Sequence, residues 1–230
     1  MNRTHPTWYW PDVTDPLVLD AMAKVPRHLF VPRDLQDQAY DDIPLPIGLR
    51  QTISQPYIVA LMTQALGICP GSRVLEVGTG SGYQAAVLAT IAGHVWSVEA
   101  LAELAGTAQD RLQSLGYAVE VKTGDGSLGW PEHAPYDAIV VTAAAPEIPP
   151  ALVQQLADGG RLVIPLGEAH WEQVLWRIDK TPERGLQARR LADVRFVPLV
   201  RLGAEGAAAE ETQALRAELR RLVGLPAGHE

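Results

Sequence analysis

Three glycines at alternate positions, in the stretch VLEVGTGSGYQAA, form the part of this chain best suited to bind a ligand. Gly78, Gly80 and Gly82 follow a short apolar run and precede a segment with helical spacing. In doubly wound sheets such a strand–loop–helix unit binds nucleotide-like ligands, because glycine lets the backbone come close and helix N–H groups face the ligand. A turn that needs glycine for geometry alone is the alternative, and three alternating glycines disfavour it. We therefore predict a nucleotide-like ligand at this loop, which also includes Thr79 and Ser81.

Acidic residues stand where neighbouring strands of such a sheet would end. Glu99 closes the run VWSVEA, 17 residues after Gly82, where a carboxylate accepts hydrogen bonds from both ribose hydroxyls. Asp125, followed by Gly126, would reach an adenine amino group or form a plain Asp-Gly turn. Glu76 lies inside the first apolar run, and buried carboxylates are rarely idle, so we predict that it faces a positive sulfonium or amino group. NAD and S-adenosylmethionine both carry a ribose, so the ribose contact alone does not choose between them.

Absent motifs narrow the chemistry further. The sequence has no Tyr-x-x-x-Lys pair of short-chain dehydrogenases and no Asp/Asn-Pro-Pro-Tyr/Phe motif of enzymes that methylate base amino groups. Its six histidines show no H-x-x-x-H spacing, and its single cysteine is Cys69. We therefore predict no metal site and no intramolecular disulfide.

The composition is that of an ordinary globular chain. It has 230 residues, 47% of them hydrophobic, which suits one domain with a full core. A formal net charge of −8 argues against a general binder of nucleic acid or anionic membranes, since both favour clustered cations. No apolar run approaches the roughly 18 residues of a membrane span, and no secretory signal is evident. We expect a soluble cytoplasmic protein whose partners include neither nucleic acid nor membrane.

Two helices are predicted ahead of the glycine loop. Asp15 as N-cap and Pro16 as first residue begin one helix, and Pro26 ends it. Its expected apolar stripe consists of Leu17, Ala21 and Val25. Residues 31–46 look irregular, with room for one helical turn, and a second helix runs from residue 56 to the stop at Gly67. Between them LPIGLRQTISQP is too polar for a core strand and too apolar for a simple loop.

From residue 73 onward apolar runs alternate with helical segments. The predicted strands are 73–77, 95–98, 119–122, 136–143 and 161–167. The helices between them are 83–92, 101–116 and a short one within 149–160 that stops at its glycines. Near-continuous apolar strands joined by helices indicate an α/β fold with a doubly wound parallel sheet. Strands at 173–179 and 193–200, joined through the polar turn KTPERG, predict an antiparallel pair.

The two ends of the chain carry predictions of their own. The tail predicts a helix whose narrow apolar stripe is Leu215, Leu219 and Leu222, after the flexible link EGAAAE. Glutamates at its start and arginines at its end suit the helix dipole. This helix packs on the domain or on a partner, so we expect a monomer and leave an oligomer through the tail open. The aromatic run TWYWP has the same two interpretations, of which packing on the domain is favoured.

The motifs together resemble a known family. VLEVGTGSGY, VWSVEA, PYDAIVVTAAAPEIP and GGRLVIPLG resemble the motifs of class I S-adenosylmethionine-dependent methyltransferases. DDIPLPIG and QTISQPYIVALM, with RHLFVP and VRFVPLV, resemble the protein-L-isoaspartate (D-aspartate) O-methyltransferase family, over about residues 20–202. Family members commonly read G-H-G-Q-T-I-S, where this chain has Leu49 and Arg50. The resemblance implies a Rossmann-like, seven-stranded, mostly parallel sheet with its last two strands in an altered order. It further implies one domain, with a cover segment at 1–72, a sheet core at 73–202 and a tail helix at 203–230.

The resemblance also implies a reaction. A methyl group would pass from S-adenosyl-L-methionine to the α-carboxylate of an L-isoaspartyl residue in a damaged protein, leaving S-adenosyl-L-homocysteine; use of D-aspartyl sites stays open. The carboxylate is already ionised, so no general base is required. Ser54 matches the family's active-site serine, although it could also be the N-cap of the next helix. The implied substrate-binding residues are Thr52, Ile53, Ser54, Val197 and Pro198. The implied donor-binding residues are Glu76, Gly78, Thr79, Gly80, Ser81, Gly82, Glu99, Ala100, Asp125, Gly126 and Thr142.

Three other functions compete with this one. A class I methyltransferase acting on a small-molecule carboxylate or hydroxyl would have the same donor site and differ only in its substrate. A module that binds a nucleotide without catalysis has no use for the polar groups of QTIS beside a methyl group. An NAD-dependent oxidoreductase is disfavoured by the missing Tyr-x-x-x-Lys pair.

Overall fold

The computed structural model describes residues 8–168, 172–202 and 210–225, with the side chains of residues 210 and 211 excepted. The helices are α1 (Pro16–Lys24), α2 (Pro56–Leu66), α3 (Tyr83–Ile91), α4 (Ala102–Ser114), α5 (Pro150–Gln154) and α6 (Glu210–Leu222). The strands are β1 (Leu45–Gly48), β2 (Gln51–Ile53), β3 (Arg73–Val77), β4 (His94–Glu99), β5 (Val119–Thr123), β6 (Tyr136–Val141), β7 (Leu156–Leu166), β8 (Gln173–Thr181) and β9 (Gly185–Val194). No helix in these ranges is long and apolar enough to cross a membrane.

Seven strands form one sheet in the order β5-β4-β3-β6-β7-β8-β9. The strands from β5 to β7 are parallel, whereas β8 runs antiparallel to both β7 and β9. The predicted mostly parallel α/β sheet with an antiparallel pair near its end is confirmed. The last two strands, β8 and β9, follow β7 in the same order as in the chain, so that β9 forms the edge of the sheet. The strand order reverses between β3 and β6, so a crevice opens at their carboxyl ends.

Two apolar clusters, one on each face, hold this sheet between its helices. Val74 and Val140 belong to the cluster that includes α1, α2 and α3. Leu75 and Val141, their chain neighbours, belong to the cluster that includes α5 and α6. Side chains alternate between faces along a strand, and here both faces are covered. This is why the central strands appear in the sequence as continuous apolar runs.

Helix α1 begins as predicted but presents a different face. The Asp15 carboxylate accepts a hydrogen bond from the Leu17 N–H at 2.9 Å and caps the helix. The helix buries Val18, Ala21 and Met22 against its neighbours, while Leu17 is 41% exposed. The assignment of Leu17 to the apolar stripe was therefore wrong, because the buried face is turned toward Val18 and Met22.

The segment between α1 and β1 includes the helical turn that was expected within residues 31–46. It contains two 3₁₀ helices, Arg27–Phe30 and Arg33–Gln38. The N-terminal aromatic residues pack on this region: the rings of Trp8 and Trp10 stack at 5.2 Å, and the Trp8 indole donates to the Tyr40 carbonyl at 3.1 Å. Packing on the domain was the favoured interpretation; Thr7 lies outside the described residues.

Two predicted boundaries were wrong. Helix α5 ends at Gln154 rather than at the glycines, and the chain from Leu156 already belongs to β7. Its pairing with β6 is irregular in this stretch, so the extra residues are accommodated without a separate loop. The final strand is β9, at 185–194, not 193–200. It is an edge strand whose side chains are mostly polar and partly exposed, so it lacks the apolar run on which the prediction relied.

Helix α6 packs on the domain. Leu219 is 1% exposed and joins the cluster of α5, while Leu215 and Leu222 pack at its border. The Arg220 guanidinium donates to the Glu147 carboxylate at 2.8 Å, which ties the helix to the loop after β6. Residues 205–209 of the predicted link and Pro226 lie outside the described residues.

Candidate active site

The glycine loop follows β3 and leads directly into α3. Gly78 has φ of +98°, and a side-chain carbon on it would lie 2.5 Å from the Thr142 hydroxyl. That hydroxyl donates to the carbonyls of Gly78 at 2.5 Å and Val77 at 3.1 Å. Gly82, with φ of +87°, would meet the side chain of Leu112 at 3.2 Å. Both glycines are therefore needed for backbone conformation and for close packing.

A cleft of about 770 Å³, counted out to open solvent, lies above this loop at the carboxyl edge of the sheet. It is lined by Thr52, Ile53, Ser54, Gly78, Thr79, Gly80, Ser81, Glu99, Ala100, Gly126, Thr142, Val197 and Pro198 among the predicted residues. Glu76, Gly82 and Asp125 do not line it. Residues expected to bind the donor and residues expected to bind the acceptor thus face one space.

Glu99 is held in place at the end of β4. One carboxylate oxygen accepts from the Gly80 N–H at 2.9 Å and the other from the Leu101 N–H at 3.0 Å. The residue is 7% exposed and lines the cleft. Each oxygen keeps a lone pair, so this carboxylate can still accept hydrogen bonds from a diol.

Asp125 forms the turn that the sequence offered as its simpler interpretation. Its Oδ1 accepts from the backbone N–H and the hydroxyl of Ser127, at 2.9 and 2.6 Å, and its Oδ2 accepts from the Leu202 N–H at 2.9 Å. Gly126, which lines the cleft, could not carry a side chain, because its first carbon would lie 2.4 Å from Val77. The contact of Asp125 with an adenine amino group stays a prediction.

Glu76 lies beneath the cleft. Its Oε2 accepts from the Ser97 hydroxyl at 2.5 Å, and that hydroxyl lies 2.6 Å from the hydroxyl of Thr79, a residue that lines the cleft. Its Oε1 has no partner among the described residues. Burial raises the pKa of Glu76 to about 8; the Ser97 hydrogen bond opposes this rise and the charge of Glu99 adds to it. Two hydroxyls thus connect this acid to the cleft, and its contact with a positive ligand group stays a prediction.

Residues 45–53 form a hairpin of β1 and β2 that the sequence did not predict. Ile47 reaches to within 3.5 Å of the point where a side-chain carbon on Gly80 would stand. The hairpin therefore lies over the glycine loop. Thr52 and Ile53 belong to its second strand and line the cleft, which fits a segment that covers a bound ligand.

Ser54 is not the N-cap of α2. The N-cap residue is Gln55, and the Tyr57 N–H at the helix start is bound by the Asp42 carboxylate at 2.8 Å. The Ser54 hydroxyl makes no hydrogen bond within the described part of the chain. The capping alternative was therefore wrong, and this hydroxyl is available to a ligand.

The segment after β9 closes another side of the cleft. The Ala144 N–H donates to the Val197 carbonyl at 2.8 Å, and the Leu199 N–H donates to the Ala144 carbonyl at 2.7 Å. These two bonds fix residues 197–199 beside the end of β6. The segment is thus held as a wall of the cleft and not as a strand of the sheet.

Two cleft residues in the first turn of α3 were missed by sequence reasoning. The buried Arg27 guanidinium lies over the Tyr83 ring, with its central carbon 4.9 Å from the ring centre. Burial lowers the pKa of Arg27 to about 10. Gln84 is 7% exposed and donates to the Thr63 hydroxyl at 2.9 Å, while its Oε1 has no partner in the described ranges. Both residues line the cleft, and their place directly after Gly82, at a helix start, was the signal that could have found them.

Across the described ranges, no group of three His, Cys, Asp or Glu side chains is placed to hold a metal ion. The cleft offers hydroxyls, backbone N–H groups and one fixed carboxylate. Such groups can orient a ribose and a carboxylate toward each other.

Sequence comparisons identify close relatives. Residues 12–204 match the family model described as Protein-L-isoaspartate(D-aspartate) O-methyltransferase (PCMT). A protein-L-isoaspartate O-methyltransferase of Synechococcus sp. is 58% identical over 195 residues, covering 82% of this chain and 80% of the relative. A protein-L-isoaspartate O-methyltransferase 2 of Pelobacter propionicus is also 58% identical over 195 residues, covering 84% and 86%.

Solved structures agree with the sequence matches. A protein-L-isoaspartate O-methyltransferase superposes with a TM-score of 0.73 at 31% identity, over 84% of this chain and 62% of that longer chain. A structure described as a beta-aspartate methyltransferase (PCMT) from Plasmodium falciparum in complex with S-adenosyl-L-homocysteine gives a TM-score of 0.70 at 27% identity, over 83% and 93%.

Proposed function

The chain belongs to the protein-L-isoaspartate(D-aspartate) O-methyltransferase family, and we propose that it transfers a methyl group from S-adenosyl-L-methionine to the α-carboxylate of L-isoaspartyl residues in damaged proteins. One observation carries this proposal: the glycine loop and Glu99 face the same cleft as Thr52 and Ser54. Methyl transfer needs its donor and acceptor side by side, and this cleft has suitable groups for each.

The donor half fits S-adenosyl-L-methionine. Gly78 and Gly80 leave the backbone bare beneath the ligand, and Glu99 is fixed by two N–H groups where it would accept from the ribose hydroxyls. Ala100, Gly126 and Thr142 complete this side of the proposed donor site. When bound, the donor supplies a methyl group on a positively charged sulfur.

The acceptor half would orient the substrate carboxylate. The hydroxyls of Ser54 and Thr52 donate hydrogen bonds to it and aim one oxygen along the methyl–sulfur axis. This carboxylate is ionised at neutral pH, so no side chain has to remove a proton. The hairpin over the glycine loop excludes water, which favours a step that neutralises a carboxylate and a sulfonium. Ile53, Val197 and Pro198 would hold the peptide.

The ester then leads to repair. The backbone nitrogen of the following residue attacks the ester and methanol leaves, which closes a succinimide. Water opens this ring in part to normal aspartate, and repetition of the cycle increases the yield. We propose damaged proteins as the substrates, a cytoplasmic location consistent with the single Cys69, and a monomeric state supported by the inward packing of α6. We also propose that 1–72, 73–202 and 203–230 act as cover, donor-binding core and tail of one methyltransferase domain.

The test is transfer of labelled methyl groups to two peptides that differ only in carrying L-isoaspartate or normal aspartate. We expect base-labile methyl ester on the isoaspartyl peptide alone. Ser54→Ala should lower kcat/KM by about tenfold or more, because a hydrogen bond to a charged group is lost.

Ser114→Ala is the matched control, since Ser114 lies at the far end of α4, where its hydroxyl donates to the Arg111 carbonyl at 2.8 Å. This variant should retain full activity. No transfer to either peptide, with the donor still bound, would overturn the proposal, and equal transfer to both would mean a different acceptor.

A further inference from the structure

We propose that the hairpin tip, formed by Leu49 and Arg50, contacts the substrate chain near the methylated residue and favours substrates with an acidic residue there. This inference rests on the proposed function and adds a sequence preference to it. It follows from the backbone of the tip, from its two exposed side chains and from its place at the cleft.

The tip is a two-residue turn with an unfavourable choice of residues. Gly48 pairs with Gln51, so Leu49 and Arg50 alone connect the strands, with φ of +49° and +59°. Two successive residues with positive φ are typical of a type I′ hairpin turn, which prefers Asn-Gly. A leucine and an arginine are strained in this conformation.

Within the described ranges, no side-chain hydrogen bond or ion pair of the two tip residues compensates for that strain. Leu49 is 46% exposed. Arg50 is also exposed and forms no ion pair or hydrogen bond through its side chain within the described ranges. Both side chains are exposed and neither is paired, and a strained backbone conformation without such contacts points to a function at that position.

The tip stands next to the proposed acceptor site. The four residues that follow it, Gln51 to Ser54, all line the cleft. Four residues of extended chain span about 13 Å, so Arg50 lies within reach of substrate positions up to about four residues from the isoaspartate.

Charge and polarity define the preferred substrate. The chain has a formal net charge of −8, so an acidic substrate is repelled at long range and needs a local cation to hold it. An unpaired guanidinium beside an exposed leucine suits a segment that places an acidic residue next to an apolar one. Arg50 then binds the acid, and Leu49 covers the apolar neighbour.

The test uses three isoaspartyl peptides that are identical except at the second to fourth residues from the isoaspartate. These residues are Glu in the first peptide, Gln in the second and Lys in the third. For the unaltered chain kcat/KM should be about two- to fivefold higher with Glu than with Gln, and lowest with Lys. The preference should fade at high salt. It should vanish in Arg50→Gln and reverse in Arg50→Glu, with little change for the Gln peptide. Arg184→Gln is the matched control, because Arg184 lies in the exposed β8–β9 turn at the opposite edge of the sheet.

A second variant separates recognition from strain. Leu49→Asn with Arg50→Gly gives the turn its favoured residues, so the melting temperature should rise by about 2–4 °C while the preference disappears. A preference that survives in this variant, or equal kcat/KM for all three peptides in the unaltered chain, overturns the inference and leaves the proposed function intact. If not even the Gln peptide is methylated, the proposed function fails and the inference fails with it.

Discussion

The two sides of the cleft, the proposed donor side with the glycine loop and Glu99 and the proposed acceptor side with Thr52 and Ser54, are built differently. On the donor side the Glu99 carboxylate is fixed by the N–H groups of Gly80 and Leu101. On the acceptor side the hydroxyls of Thr52 and Ser54 have no partner in the described part of the chain. A preorganised site loses little freedom when its ligand binds, whereas free hydroxyls remain available to a group carried by a large and variable substrate. This contrast is what the proposed function requires, since its donor is a single small molecule and its acceptors are many proteins.

The difference follows from where each side lies in the fold. The donor side is attached to β3 and β4, which are buried on both faces of the sheet. On the acceptor side Thr52 lies in a short hairpin and Ser54 directly follows it. The hairpin is held by its buried ends, Leu45 and Ile53, while most of the residues between them are exposed. Changes on the donor side should therefore affect stability and donor binding together, whereas removal of a hydroxyl from the acceptor side should affect catalysis and leave stability nearly unchanged.

The largest effect should come from filling the donor side. In Gly78→Ala the new carbon would lie 2.5 Å from the Thr142 hydroxyl, which cannot move without losing its bonds to Val77 and Gly78. With the strain of positive φ, we expect a loss of about 2–4 kcal/mol in the free energy of unfolding. Affinity for S-adenosyl-L-homocysteine, measured by calorimetry, should fall by about 100-fold, which corresponds to about 2.7 kcal/mol.

Gly116→Ala is the matched control for this substitution. Gly116 also has positive φ, at +80°, but an added carbon there has nothing within 4 Å. It should lose only the roughly 1–2 kcal/mol of backbone strain and bind the ligand normally. Normal binding by Gly78→Ala as well would show that the donor side does not depend on this close approach.

The buried acid beneath the donor side should make stability depend on pH. Its folded pKa is about 8 against an ordinary value of 4.5, so between these values folded Glu76 keeps a proton that the unfolded chain releases. The free energy of unfolding should therefore fall as pH rises through this window. Glu76→Gln removes this pH dependence. The free energy of unfolding of the variant minus that of the unaltered chain should therefore be about 2–4 kcal/mol larger at pH 8 than at pH 5.

Urea unfolding at the two pH values measures this change. Glu183→Gln, at an exposed position in the β8–β9 turn, is the control and should shift little. A Glu76→Gln difference that is the same at both pH values would mean that this carboxyl titrates normally in the folded chain.

The donor side was also the more predictable from sequence. Gly78 to Gly82 directly follow one apolar strand and Glu99 ends the next, so strand, loop and acid are all local patterns. The hairpin was missed because its turn holds Leu49 and Arg50 in place of the Asn-Gly that would signal it. Strand β9 was misplaced because an edge strand needs no apolar run.

The sequence could not predict that the Ser54 hydroxyl does not cap α2, because the reason lies in a residue distant along the chain. Asp42, fifteen residues before Tyr57, supplies the acceptor that the helix start needs. A sequence gives the preference of serine for an N-cap but not the competing carboxylate that the fold brings there. Capping was thus a fair expectation that tertiary structure overrode.

Replacing a serine by alanine on each side of the cleft tests directly whether the donor side contributes more to stability than the acceptor side. Ser97→Ala on the donor side removes the hydroxyl between Glu76 and Thr79, so that neither oxygen of this buried carboxyl keeps a partner among the described residues. Because an unsatisfied buried polar group is costly, we expect a loss of about 1–3 kcal/mol in the free energy of unfolding.

Ser54→Ala on the acceptor side should change that free energy by less than about 0.5 kcal/mol, since the Ser54 hydroxyl bonds nothing in the described chain and caps no helix. Urea unfolding of both variants at pH 7 compares them, and ligand calorimetry should show unchanged donor affinity for Ser54→Ala. If Ser54→Ala loses as much stability as Ser97→Ala, the acceptor side is structural and its hydroxyls are not held free for the substrate. An unchanged stability with a tenfold loss of methyl transfer would instead assign this serine to substrate binding alone.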